Sequence, residues 1–131
     1  MKIQVSNGEL LDKLSILSIK KQKLKGDKLE NVEKEYKYLQ KKYDALYVTI
    51  SPVVRNEFVM YNTELKIINY KLWEIEDDIR ECEKEKNFGK RFIELARQVY
   101  KTNDERSKIK KIINLLTDSS FVEEKSYQDY E

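Results

Sequence analysis

Two apolar stripes mirror each other across Ser51-Pro52, and they limit the possible folds more than any other feature of this chain. Leu29, Val32, Tyr36, Leu39, Tyr43, Leu46 and Ile50 recur in alternating steps of three and four before the proline. Val54, Phe58, Tyr61, Leu65, Ile68, Leu72 and Ile75 do the same after it. That spacing puts each set on one face of a helix. A reversal at Ser51-Pro52 pairs the stripes residue by residue, Ile50 with Val54, Leu46 with Phe58, Tyr43 with Tyr61, Leu39 with Leu65 and so on to Leu29 with Ile75. The sequence therefore predicts an all-α fold built on a long antiparallel helical hairpin, coiled-coil-like, with additional short helices packed at one end. The rival is one continuous helix kinked at Pro52, because Leu46, Ile50, Val54 and Phe58 also step by four. Proline disfavours helix at the preceding Ser51, and the β-branched residues around it are weak helix formers, so the break is the better reading.

The totals fit such a chain. At 131 residues, 40% apolar and 38% charged, it is the size of one domain, 1–131, with much of its charge on exposed helix faces. A polar tail over 118–131 need not be ordered. Lys+Arg 26 against Asp+Glu 24 leaves only +2, too little for the broad positive field that drives non-specific nucleic-acid binding. The basic run from Lys20 to Lys28 is not regularly interleaved with aromatics, which also argues against nucleic acid as a partner. The first residues carry no apolar core of signal-peptide length and no window approaches a membrane span, so the expected location is cytoplasmic, with no membrane partner. The single cysteine, Cys82, has no partner for an intramolecular disulfide and reads as a packed thiol on the helix seam.

Helix boundaries follow from capping chemistry. Ser6 with Glu9 three residues on forms a capping box, after a short arm in which Ile3 and Val5 alternate with polar residues. The first helix ends at Lys25-Gly26-Asp27. Asp27 with Glu30 repeats the signal and opens a second helix running to about Thr49. The third starts at Pro52 and continues to about Lys86, on the order of 50 Å at 1.5 Å per residue. After Asn87-Phe88-Gly89 a fourth helix carries Phe92, Leu95, Ala96, Val99 and Tyr100. Thr102 with Glu105 then signals a fifth, carrying Ile109, Ile112, Ile113 and Leu116.

The chain has no histidine and one cysteine, which removes the commonest general base and the usual zinc ligands. A metal here would be held by carboxylates, a donor set that suits Mg2+ or Mn2+. Glu74 and Asp77 share a helix face, and Glu9 and Asp12 have the same spacing. Two such pairs resemble the carboxylate motifs of all-α nucleoside triphosphate pyrophosphohydrolases, although the pairs lie far apart in sequence and lack further acids. The competing reading is a solvated charged face with Arg80 bonding back to Glu76 or Asp77. A second polar cluster comprises Arg91, Arg97, Asn103, Asp104, Arg106, Lys110 and Asn114, in which Arg97 and Arg106 are expected to face the acids of the third helix. The candidate polar site is therefore Glu9, Asp12, Lys13, Glu74, Glu76, Asp77, Arg80, Arg97, Asn103 and Arg106. No cofactor is expected, and Mg2+ on Glu74 and Asp77 is the alternative.

Four blocks in order, Asn7-Gly8-Glu9-Leu10-Leu11-Asp12-Lys13-Leu14-Ser15-Ile16-Leu17, Leu72 to Arg80, Phe92 to Tyr100 with Asn103, Asp104 and Arg106, and Val122-Glu123-Glu124-Lys125-Ser126-Tyr127, resemble the signature of an uncharacterised family of small helical proteins from bacteria and their phages. The resemblance implies no activity, cofactor or catalytic residue. It does imply that the polar residues of the blocks converge in space.

The expected function is thus a non-enzymatic intracellular helical interaction or adaptor protein. The alternative is a Mg2+-dependent hydrolase or an anion- or nucleotide-binding protein. Ile50, Val53, Val54, Val59 and Met60 crowd the Ser51-Pro52 tip, where a solvated turn would carry polar residues, and this predicts an interface for a homodimer or another protein.

Overall fold

Residues 1–130 are described by the computed structural model of the chain, in which all regular structure is helical: α1 (Asn7–Lys23), α2 (Gly26–Tyr47), α3 (Pro52–Lys84) and α4 (Lys90–Leu116). Helix α1 starts where the capping signal predicts, with the Ser6 hydroxyl accepting from the Glu9 amide at 3.1 Å. The Glu9 carboxylate, however, turns to Lys110 at 2.6 Å instead of completing the box. Helix α2 opens differently from expectation. Gly26 takes a left-handed φ of 62° and lets the chain turn, Lys25 is the N-cap, and no side chain caps the helix, so Asp27 lies one residue inside it. Helix α2 ends at Tyr47 and α3 begins at Pro52, with Ser51 accepting from the Val53 amide. The proline breaks the helix.

The fifth helix does not exist. Helix α4 runs unbroken through Thr102 and Glu105 to Leu116, and Thr102 is buried in its middle. A threonine caps only where the backbone leaves the helix. Here α4 packs along α3, with half-buried Leu95, Ala96 and Val99 before the supposed cap and buried Ile109 and Ile113 beyond it, so packing along its whole length holds the helix continuous. The expectation of short helices gathered at one end gives way for the same reason, since α4 is 27 residues long. Its antiparallel course beside α3 is marked by Arg91 against Asp78 at 3.8 Å, close to the connection.

Helix α1 touches all three other helices, and its Leu10, Leu11 and Leu14 join Phe58 and Leu65 of α3 and Ile109 and Ile113 of α4 in one core. Next to the Ser51-Pro52 turn, α2 meets α3 through aromatic rings. Phe58 is fully buried, with ring centroids 6.0 Å from Tyr43 and 6.4 Å from Tyr47. Arg55 lies over the Tyr47 ring at 5.0 Å and donates to the Ile50 carbonyl at 2.9 Å, which closes the turn. The turn tucks Ile50, only 4% exposed, into the core, and Val54 packs against the same cluster half-buried. These two are core residues, whereas Val53, Val59 and Met60 of the expected interface set are exposed.

Candidate functional site: a polar joint between α1 and α4

Three residues on α1, each about a turn or less from the next, meet three at roughly one-turn spacing on α4. The Gly8 amide donates to Asn114 Oδ1 at 2.6 Å, Lys110 Nζ reaches Glu9 at 2.6 Å, and Arg106 holds Asp12. Ascending numbers on α1 meet descending numbers on α4, so the helices run antiparallel. Gly8 is required at the crossing. A Cβ there would stand 2.6 Å from the Lys110 carbonyl oxygen, which is backbone and cannot swing away.

Asp12 is the centre of the joint and is 1% exposed. Arg106 donates to both carboxylate oxygens, through Nε at 2.9 Å and through Nη2. Asn69 of α3 donates to Oδ1 at 2.8 Å and also to Ser15 at 3.2 Å, and Lys110 stands 3.5 Å from Oδ2. Burial by itself would push the Asp12 carboxyl up. The hydrogen bonds from Arg106 and Asn69, aided by the charges of Arg106 and Lys110, outweigh it and hold the group below its ordinary value. The bond to Asp12 in turn raises Arg106, against the opposing effect of its own burial. Both groups stay ionised at neutral pH. A carboxylate so fully engaged is a poor general base, and the joint is built to hold helices in register.

The tail returns to this joint. Ser6 donates to Glu123 at 2.6 Å, the Asn7 amide donates to the Ser119 hydroxyl at 3.0 Å, and the Asn7 side chain donates to Thr117 at 2.9 Å. Lys111 pairs with Glu124 at 2.8 Å, and Tyr130 packs edge-on against Tyr100 at 5.3 Å. Between α4 and the tail lies a cavity of about 510 Å3 whose wall includes Arg106, Ser107, Lys110, Asn114, Tyr127 and Tyr130.

Of the candidate site residues, Glu9, Asp12, Lys13, Asn103 and Arg106 come together. Lys13 stands 3.6 Å from Glu9, and Asn103 accepts from Arg106 at 3.3 Å. The others do not join them. Glu74 and Asp77 are exposed on α3, Arg80 bonds back to Glu76 at 3.5 Å as in the solvated-face reading, and Arg97 pairs with Glu94 of its own helix at 3.5 Å. Arg106 thus faces an acid of α1, because that face of α4 is turned to α1, and neither it nor Arg97 reaches the acids of α3. Among the described residues no three Asp, Glu or Cys side chains converge as a metal site would need. Sequence reasoning missed Gly8, Ser15 and Asn69. Asn69 carried a usable signal, being a polar residue beside Leu65, Ile68 and Leu72 on an apolar stripe.

No curated protein and no solved structure proved similar to the chain. A family model does match it, over residues 1–130. The chain in which Asn69 of α3 and Arg106 of α4 meet on Asp12 of α1 belongs to the family of unknown function DUF6165.

Proposed function

We propose that this protein is a non-enzymatic helical interaction module that works through the outward face of α3 and pairs there with a second copy of itself. One observation carries the reading. Val53, Met60 and Ile67 recur every seven residues on α3, with Tyr70 continuing the stripe, and they are 88%, 46%, 64% and 40% exposed. They lie on the side of the helix opposite Phe58 and Leu65, which fill the core. A heptad stripe of this kind is the pattern a helix uses to pack on another helix, and an apolar row left in water marks an interaction surface.

The partner is argued from self-complementarity. In a two-fold contact each patch meets its own copy. With two α3 helices antiparallel, Met60 falls into the partner copy's shallow, mostly apolar depression lined by Lys66, Ile67, Tyr70, Lys71 and Glu74. Glu57 then lies opposite Lys71 on both sides of the axis. Glu64 meets its own copy near the axis at the exposed rim, where like charges cost least.

The Mg2+-dependent hydrolase reading is less well supported. It needs Glu9 and Asp12 to share an ion with Glu74 and Asp77, yet the first two are engaged by Lys110 and Arg106 and the last two stand on the surface. Light scattering across micromolar concentrations tests the proposal. The wild-type protein is expected at dimer mass, and Ile67→Lys at monomer mass with its helical circular dichroism unchanged. A monomeric wild type, or a dimer that Ile67→Lys and Met60→Lys leave intact, overturns it.

A further inference from the structure

We propose that the cavity between α4 and the tail is a binding site for a small, uncharged molecule that presents a carbonyl oxygen to Asn114. Asn114 is 1% exposed, lines the cavity, and has its Nδ2 buried without a hydrogen-bond partner. The orientation of its amide is fixed by chemistry. The Gly8 amide is a donor and can only face the side-chain oxygen, which it does at 2.6 Å, so the remaining group is the NH2 donor. A buried donor left unpaired is costly and uncommon in a folded protein. The natural complement is an acceptor oxygen brought by a ligand.

The remaining walls narrow the class. The cavity, at about 510 Å3, falls in the range of small-molecule sites. Its cations are largely matched already. Arg106 is engaged by Asp12, Lys110 by Glu9 and Asp12, and Lys111 by Glu124. Carboxylates of Asp104, Glu123 and Asp129 share the lining with Lys108 and Lys125. A wall of balanced charge offers an anion no net attraction and penalises the loss of its hydration, which favours a neutral ligand. Tyr127 and Tyr130 add ring surface on the tail side, suited to a flat ring carrying the carbonyl. The site is independent of the α3 face, which lies on another helix.

The Asn114 side-chain NH2 gives two signals in a proton–nitrogen correlation spectrum, so occupancy can be read at the atom that carries the argument. Uridine, a neutral ring with carbonyl oxygens, is the probe, with acetate and inorganic phosphate as charged comparisons. Uridine is expected to shift the Asn114 NH2 signals saturably in the millimolar range, and acetate and phosphate are expected not to. Asn114→Asp keeps the oxygen that Gly8 needs and removes the donor; followed on the backbone amide signals of Ser107 and Lys111 in the cavity wall, it is expected to bind uridine about tenfold more weakly, the value of one hydrogen bond, and unchanged affinity overturns the proposal. Tyr127→Ala, at an exposed tail position that leaves the fold alone, is expected to weaken it as well. The proposal is overturned if uridine leaves Asn114 unmoved, if acetate or phosphate moves it instead, or if Tyr127→Ala binds as tightly as the wild-type protein.

Discussion

The α1–α4 joint and the α2–α3 joint solve the same problem with opposite chemistry. Helix α1 is held to α4 by directional contacts: a glycine against a carbonyl, an amide on Asn114, and an Arg–Asp pair with Asn69 behind it. Helix α2 is held to α3 near the turn by the rings of Tyr43, Tyr47 and Phe58. Ring packing rewards burial at almost any register that covers the surface. The polar joint is satisfied at one register only, since a slip of one residue would unpair Asp12, Asn114 and Glu9 together and bring a Cβ against the α4 backbone. A buried ion pair adds little net stability compared with a well-packed apolar pair. Its expected contribution here is the choice of a single arrangement, with the rings and leucines among the buried core residues.

The sharpest way to break this comparison is to remove one side of each joint. Asp12→Ala strands Arg106 and Asn69 and is expected to cost about 3–5 kcal/mol in urea unfolding. Phe58→Ala, which empties a fully buried ring site, is expected to cost about 3–5 kcal/mol as well. The two should part when both partners change. Asp12→Leu with Arg106→Met removes both charges and is expected to recover most of the loss, whereas adding Tyr43→Ala to Phe58→Ala should deepen it. A double apolar replacement at the polar joint that remains as unstable as Asp12→Ala would show that the pair contributes more than register.

Next in size is Gly8→Ala. The added Cβ meets the Lys110 carbonyl oxygen at 2.6 Å, so α1 must move away from α4 and disturb the Asn114 and Lys110 contacts. A loss of about 1–3 kcal/mol is expected, despite alanine's better helix propensity. An unchanged or raised melting temperature would show that the helices do not approach so closely.

The smallest effect is in acid. The Asp12 carboxyl is held below its ordinary value of 3.8 in the folded protein. The unfolded chain therefore binds the proton first as pH falls, and stability declines with acidification. The contribution is complete above the unfolded value of about 4 and disappears as pH drops through the lower folded value. Between neutrality and pH about 5 the Asp12 contribution should be flat. Asp12→Asn, followed by urea midpoint against pH, should lose part of the acid slope, and a slope equal to that of the wild-type protein would separate Asp12 from acid unfolding.

Different parts of this molecule were legible in the sequence for different reasons. Helical class, the break at Ser51-Pro52, the Ser6 cap and the apolar stripes are written in spacing and local chemistry, because a helix face is set by residues three and four apart. The same local signal at Thr102 with Glu105 points to a fifth helix that does not form, because capping propensity is weak beside the packing of a whole helix. The candidate site was half legible. Glu9, Asp12 and Arg106 announce themselves as charged residues in short blocks, but which acid meets which base depends on how α4 is turned about its axis, and that turn sends Arg106 to α1 and leaves Glu74 and Asp77 in water. Gly8, Ser15 and Asn69 stayed hidden because glycine, serine and asparagine carry no charge to single them out, and their roles come from approach distances between helices distant in sequence. What the sequence determined by itself was the set of faces, since periodicity is a local property. Which faces are buried, which acid is engaged and where a buried donor is left without a partner were decided by the tertiary structure, because only packing brings residues a hundred positions apart within hydrogen-bond reach.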